Sequence, residues 1–130
     1  MKHAKKLGAG AVLAAVAAIA VAQQAGFTRT PLQDQEISDP AKHVVQVRAE
    51  FQPGVAAGRH THPGEEFGYV LDGTIVLEID GKPPVTLNAG QVFFVPAGMV
   101  HDGKNVGKGS ATVIATYVVE KGKPVASPAK

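Results

Sequence analysis

The sequence predicts an all-β domain of the jelly-roll type, in which short strands form a barrel or a pair of packed sheets. Two observations lead to this prediction. Short segments that alternate apolar and polar residues follow one another over residues 43–120, and turn-forming residues separate them at close, regular intervals. No part of this region has the periodicity of a long amphipathic helix. With 130 residues, the chain fits one domain.

The first 22 residues are predicted to be a cleaved secretory signal peptide. Three lysines precede an apolar run over residues 7–21, and the run ends in an A-x-A cleavage signal at Ala22. The alternative is an uncleaved membrane anchor, but the run is shorter than the span of about 20 residues that a bilayer requires. We therefore expect a mature protein that is periplasmic or secreted, with no membrane contact after cleavage.

Loss of this leader changes the charge balance. The chain has 13 basic and 11 acidic residues, and three of the basic ones lie in the leader, which leaves 10 against 11. The sequence therefore predicts no nucleic-acid partner. The absence of cysteine excludes disulfides, thiolate nucleophiles and cysteine-based metal sites, so any metal would be held by nitrogen and oxygen.

The two ends of the mature chain are predicted to lie outside the barrel. Residues 23–42 are polar and contain two prolines, which is typical of an N-terminal arm, with one short extended candidate at 28–32 that could add an edge strand. Residues 121–130 are rich in lysine and proline and are predicted to form a disordered tail.

Between these ends, the clearest strand is residues 43–51, where apolar side chains occupy every second position from Val45 to Phe51. This alternation predicts one buried face. Asp72-Gly73 and Asp80-Gly81 are dipeptides typical of hairpin turns. Further strands are predicted at residues 58–62, 66–71, 74–79, 85–87, 91–95 and 111–120, with another one starting at His101.

A group of polar residues in this region has the spacing of metal ligands. His60 and His62 are two residues apart, so on a strand their imidazoles point to the same face. Glu66 follows after the turn signal Pro63-Gly64, which could bring its carboxylate to the same point. His101 is the candidate for a fourth ligand.

These residues fall within two motifs that resemble those of the cupin family. The first motif, G-x5-HxH-x3-E-x6-G, is filled by Gly54, His60, His62, Glu66 and Gly73. The second motif, G-x5-PxG-x2-H-x3-N, is filled by Gly90, Pro96, Gly98, His101 and Asn105. The resemblance implies a single-domain cupin β-barrel over about residues 43–120, of the small bacterial type.

The resemblance also implies that His60, His62, Glu66 and His101 bind one divalent transition metal. Three imidazoles and one carboxylate suit Mn, Fe, Ni, Zn, Cu or Co and leave coordination positions open. Asn105 is expected to satisfy backbone groups at a strand end.

Four other side chains have plainer explanations than a role in the site. His43 is expected on the surface and Tyr117 in the core or an interface. Phe93 and Phe94 are expected to pack the barrel, with one of them lining the pocket.

The function predicted from this resemblance is that of a metal-dependent small-molecule enzyme of the dioxygenase or lyase type, similar to quercetinase-like cupins. Glu66 would be both ligand and catalytic proton acceptor. The alternative is a non-catalytic secreted cupin that binds a metal or a small ligand. A cupin regulator is disfavoured because no helix-turn-helix segment is evident. The expected partners are a small-molecule substrate or ligand and a second copy of the chain in a homodimer.

Overall fold

A computed structural model describes residues 24–130, which form ten β-strands. The predicted signal peptide, residues 1–22, lies outside the described residues. Within residues 24–130, no helix is long and apolar enough to cross a membrane. The strands are β1 (Phe27–Glu36), β2 (Lys42–Phe51), β3 (His60–Thr61), β4 (Glu66–Asp72), β5 (Thr74–Ile79), β6 (Val85–Asn88), β7 (Val92–Val95), β8 (His101–Asn105), β9 (Ala111–Glu120) and β10 (Ser127–Pro128).

The strands form two five-stranded antiparallel sheets, which confirms the predicted all-β fold. The first sheet has the order β1-β2-β9-β4-β7, and the second has the order β10-β3-β8-β5-β6. The predicted strands agree with β2, β4, β5, β6, β7 and β9 to within one residue at each end, whereas β3 is shorter than the predicted 58–62.

The core lies between the inner faces of the two sheets. The alternation predicted in β2 is confirmed, because Val45, Val47, Ala49 and Phe51 are all buried. β9 pairs with β2 over its full length and buries every second side chain in the same way, ending at Val119. Burial of this apolar surface is the main source of stability for such a fold.

The N-terminal arm expected at residues 23–42 adds an edge strand, which was one of its predicted alternatives, but the strand is longer than the extended candidate at 28–32. β1 pairs with β2 in antiparallel register from Phe27 to Glu36 and forms the edge of the sheet. Pro31 is tolerated there because it lies at an irregularity of an edge strand, where no hydrogen bond from its nitrogen is required. Phe27 and Arg29 point inwards and are buried, so the barrel includes this strand.

The disordered tail predicted at residues 121–130 is also wrong. Val125 and Ala126 are buried, and β10 pairs with β3 next to the histidines. The composition of the segment is rich in lysine and proline, which is typical of disorder, but it contains these two apolar residues. Their burial offsets part of the entropy cost of ordering the segment.

Asp72-Gly73 does not form the predicted hairpin, since β4 and β5 belong to different sheets. The dipeptide is a corner at which the chain passes from one sheet to the other. Gly73 has a φ of 80°, and a Cβ atom there would lie 2.7 Å from that of Ala111. Both the backbone conformation and the lack of space therefore require glycine at this position. Asp80-Gly81 does lie in the connection between the paired strands β5 and β6, as predicted.

Candidate metal centre

The four predicted ligands are brought together between the two sheets. His60 lies in β3 directly opposite His101 at the start of β8, in the second sheet. His62 follows β3, and Glu66 begins β4 in the first sheet. All four side chains are buried. The site therefore joins the two layers of the barrel.

Each histidine ring is oriented by a backbone carbonyl group at its Nδ1 atom. Only an N–H group can donate to a carbonyl oxygen, so Nδ1 carries the proton and Nε2 carries a free lone pair in the neutral imidazole. The acceptors for His60, His62 and His101 are the carbonyl oxygens of Gly58, Val125 and Met99, at 2.6, 2.7 and 2.9 Å respectively.

The lone pairs converge on one point. The candidate ligand atoms of the three histidines lie within 4.8 Å of one another. The Nε2 atoms of His62 and His101 are buried and have no hydrogen-bond partner. The carboxylate of Glu66 faces both, with Oε1 at 3.4 Å from His101 and Oε2 at 3.5 Å from His62. The approach of these acceptor atoms is favourable when a cation, either a metal ion or a proton, lies among them.

Burial keeps the imidazoles of His60 and His62 uncharged. It lowers the pKa of His60 to about 3, with the neighbouring His101 and His62 acting in the same direction. It also lowers the pKa of His62 to about 4, against the opposing effect of Glu66. Burial raises the pKa of Glu66, whereas a hydrogen bond with His101 and the charges of protonated imidazoles lower it, so a positive charge at the ligand position, from a proton or a metal ion, keeps this carboxylate ionised. At neutral pH the site thus offers lone pairs and a negative charge, which fits a divalent transition metal.

A cavity of about 40 Å³ adjoins His60, Glu66 and His101. Its wall is mostly apolar and includes Phe93, whereas Phe94 is half exposed on the outer face of the sheet. The other lining residues are Phe27, Arg29, Ala49, Phe51, Ala57, Ile75, Leu77, Gly103, Val113, Ala115 and Tyr117.

Two polar side chains on this wall were not predicted to belong to the site. Arg29 has its Nη2 atom 3.4 Å from Nε2 of His60. Tyr117 packs its ring 4.4 Å from that of His62, so it is a core residue that also lines the cavity. Burial and the negative charge of Glu66 raise the pKa of Tyr117 well above its ordinary value, although Arg29 opposes this. The Tyr117 hydroxyl therefore stays protonated.

The remaining candidates have structural roles. Asn105 is buried, donates to the carbonyl oxygens of Phe51 and Gly109, and accepts from the backbone of Gly107, as predicted. His43 lies on β2 away from the site, with Nδ1 at 2.6 Å from the carboxylate of Asp34.

The family model described as the cupin domain matches residues 47–119. The chain belongs to the cupin family. The match contains all four predicted ligands, whereas Arg29 and Val125 lie outside it. Of these two, only Arg29 leaves a sequence signal, namely its place in the predicted extended segment at residues 28–32. Val125 contributes only a carbonyl group.

Curated relatives of this cupin include a regulator and plant proteins. It is 35% identical over 80 residues to the HTH-type transcriptional regulator PuuR of Escherichia coli, covering 61% of this chain and 43% of the regulator. It is 38% identical over 81 residues to germin-like protein 1-1 of Oryza sativa, covering 57% of this chain and 37% of that protein. The chain thus spans about two fifths of these relatives.

Solved structures of the same fold include oxalate oxidase in complex with the substrate analogue glycolate. The TM-score is 0.63 at 24% identity, and the match covers 78% of this chain and 54% of the oxidase. At this identity the similarity shows a common fold.

Proposed function

We propose that this cupin is a metal-dependent enzyme of the dioxygenase or lyase type that acts on a small molecule. The observation that supports the proposal is the convergence of three imidazole nitrogens and a carboxylate beside a cavity. Bound there, a divalent transition metal would supply Lewis-acid polarisation of a substrate oxygen.

The chain's own residues would hold and shield the reacting molecule. His60, His62 and His101 have fixed ring orientations, and the apolar wall excludes water from their lone pairs. A carboxylate that faces a cation is a weak proton acceptor at neutral pH, so Glu66 would serve mainly as a ligand. Its proposed catalytic role would require its oxygens to leave His62 and His101. The protonated hydroxyl of Tyr117 is a further donor on the wall.

The size of the cavity restricts the substrate. One water molecule requires roughly 10–15 Å³ measured in this way, so a volume of about 40 Å³ holds about three waters. A ligand of a few heavy atoms fits, whereas a flavonol of the kind that a quercetinase-like enzyme would bind does not fit in this conformation. We therefore propose a substrate class smaller than the flavonols.

The test is elemental analysis of the purified protein, followed by activity assays after separate loading with Mn, Fe, Co, Ni, Cu and Zn. Oxygen uptake and mass spectrometry of products would be measured with small hydroxy acids, β-diketones and catechols, with the His60→Ala variant as the control. We expect turnover that requires both the metal and His60. Absence of metal-dependent turnover with every loaded form would contradict the enzyme proposal.

A non-catalytic binding function is the second candidate, and the similarity to the regulator PuuR favours it. The described part of this chain contains strands and no helix, so any likeness to the regulator concerns the barrel. This alternative predicts that a bound ligand is recovered chemically unchanged after long incubation with the metal-loaded protein. Conversion of the ligand would exclude it.

We also propose that the mature protein is periplasmic or secreted and has a small molecule, and no nucleic acid, as its ligand. The leader and the near-neutral charge of the mature chain support this. Cell fractionation, combined with the mass of the mature N-terminus, tests it, and we expect cleavage after Ala22. An uncleaved cytoplasmic protein would contradict the proposal.

A further inference from the structure

The side chain of Phe93 lies where the cavity beside the predicted metal ligands meets solvent. Of the described residues that line this cavity, all have buried side chains except Phe93, which is partly exposed, and Gly103, which has no side chain. Phe93 also borders the groove on the outer face of the first sheet. Its ring therefore covers the cavity on the side that faces solvent.

The position of Phe93 in the sheet makes it the most replaceable aromatic residue on the wall. It lies on β7, a strand of four residues at the end of the first sheet, next to β4, and it packs against the core from there. The other phenylalanines on the wall, Phe27 and Phe51, are buried and pack against each other with ring centroids 4.6 Å apart. Because the cost of removing a side chain depends on its surroundings, we expect substitution of Phe93 to disturb the fold less.

Gly68 provides the space that the ring of Phe93 occupies. The two residues are directly opposite each other in the pair of strands β4 and β7. A Cβ atom at Gly68 would overlap this ring, with the Cε2 atom at 2.6 Å. The ring therefore lies over the main chain of β4, an arrangement that glycine permits in a strand. Glu66 is two residues before Gly68 on the same face of β4, so the ring also lies beside a predicted ligand.

We propose that Phe93 determines the largest ligand that the metal centre accepts, because its ring closes the cavity between Glu66 and solvent. Removal of the ring would extend an apolar cavity outwards by about one phenyl group, and apolar cavities of that size take up aromatic molecules. The inference rests on the metal centre of the proposed function. It adds the residue that excludes substrates with an aromatic ring next to the group that binds the metal.

Formate and benzoate are suitable probes because they share the group that binds a metal and differ by one phenyl ring, the group that Phe93→Ala removes. The full chain would be loaded with Co(II), whose visible absorption spectrum reports on ligands of the ion, and the metal content would be measured first. Each probe would then be titrated into wild-type protein and into the Phe93→Ala and Phe93→Leu variants. Phe94→Ala is the matched control, since it removes the ring of the next residue, which is half exposed on the outer face.

We expect wild-type protein to bind formate and to bind benzoate much more weakly. Phe93→Ala should bind benzoate about ten- to a hundredfold more tightly than wild type does, the usual effect of burying an aromatic ring, while its affinity for formate stays close to that of wild type. Phe93→Leu should give an intermediate affinity for benzoate because leucine fills part of the space. The control should bind both probes like wild type.

Equal affinity of wild type and Phe93→Ala for benzoate would overturn the inference, whether both bind it or neither does. Equal binding of formate and benzoate by wild type would also overturn it. Folding of both Phe93 variants would be checked by circular dichroism, and Phe93→Leu gives a second measurement if Phe93→Ala does not fold. Failure of the wild-type protein to bind cobalt would be seen before any probe is added. That result would overturn the proposed metal centre, and this inference with it.

Discussion

Nδ1 of His62 donates a hydrogen bond to the carbonyl oxygen of Val125 at 2.7 Å, across 63 positions of sequence. The segment that contains Val125 is held in place by β10, which pairs with β3 at Thr61, next to His62. The last residues of the chain thus orient one of the predicted metal ligands.

Truncation after Lys123 is therefore expected to weaken metal binding about ten- to a hundredfold, the usual effect of losing a group that orients a ligand. Competition with a chromophoric chelator would measure the affinity. Truncation after Pro128 is the matched control, because it keeps both Val125 and β10. Equal affinities of the two truncated proteins would show that the Val125 carbonyl group does not position His62.

Substitution of a predicted ligand should abolish stoichiometric metal binding. We expect purified His101→Ala and Glu66→Gln proteins to retain less than a tenth of the wild-type metal, because each loses one of four donors in a site with little solvent to replace it. His43→Ala is the control, since its ring lies outside the site. Metal content would be measured by elemental analysis. If the Glu66→Gln protein keeps the wild-type metal content, the three histidines bind the metal without Glu66.

The metal-free protein should lose stability as the pH falls below about 6.5. Burial lowers the pKa of His60 from 6.5 to about 3 and that of His62 from 6.5 to about 4. The unfolded chain therefore takes up these protons first, so the stability that is present at and above pH 6.5 is lost progressively towards pH 4. With two protons involved, the slope is at most about 2.7 kcal/mol per pH unit.

Urea unfolding of the metal-free protein at several pH values between 7.5 and 5 would measure this slope. The His62→Gln variant is the matched comparison, and we expect it to have about half the slope because one of the two titrating groups is absent. A free energy of unfolding that stays constant over this range would contradict the prediction.

The sequence was sufficient to predict which four side chains come together and insufficient to predict what surrounds them. His60, His62, Glu66 and His101 could be found because ligand chemistry is tied to residue type and fixed spacing. The role of Arg29 could not be found in the same way, because its burial depends on how β1 pairs with β2, and arginine is usually exposed. The role of Val125 leaves no side-chain signal, since every residue carries a carbonyl group. The same limit explains why the tail at residues 121–130 was wrongly predicted to be disordered, since its order depends on the pairing of β10 with β3.

Gly73→Ala should destabilise the protein more than Gly81→Ala. Both glycines have a φ of 80°, so alanine is strained at either position. Only at Gly73 would the added Cβ atom also collide, at 2.7 Å from Ala111, whereas nothing lies within 4 Å at Gly81. We expect about 1 kcal/mol of destabilisation for Gly81→Ala and roughly 1–3 kcal/mol more for Gly73→Ala. Urea unfolding measures the free energy of unfolding of both variants. Equal destabilisation by the two substitutions would contradict the predicted collision at Gly73.

The homodimer remains a prediction, and one surface suits it. On the outer face of the first sheet, the exposed side chains of Phe67, Tyr69, Val92 and Phe94 lie on β4 and β7, and Val92 is 68% exposed. Exposed apolar patches of this kind often mark interfaces. We expect Phe94→Lys to convert the dimer into a monomer in light scattering after size exclusion.

The control for the dimer experiment is Val85→Lys, which changes an exposed apolar residue on the other sheet. We expect this variant to remain dimeric. A monomeric wild-type protein would contradict the predicted dimer, and a Phe94→Lys protein that stays dimeric would exclude this face as the interface.

The three hydrogen bonds that orient the histidine rings all end on main-chain carbonyl groups, which no side-chain substitution removes. The geometry of the ligands is thus buffered against most point mutations. The apolar side chains on the cavity wall, such as Phe93, can be substituted without removing any of these three hydrogen bonds. During divergence, substitutions on the cavity wall can therefore change which molecule fits the cavity while the orientations of the three histidine rings stay the same.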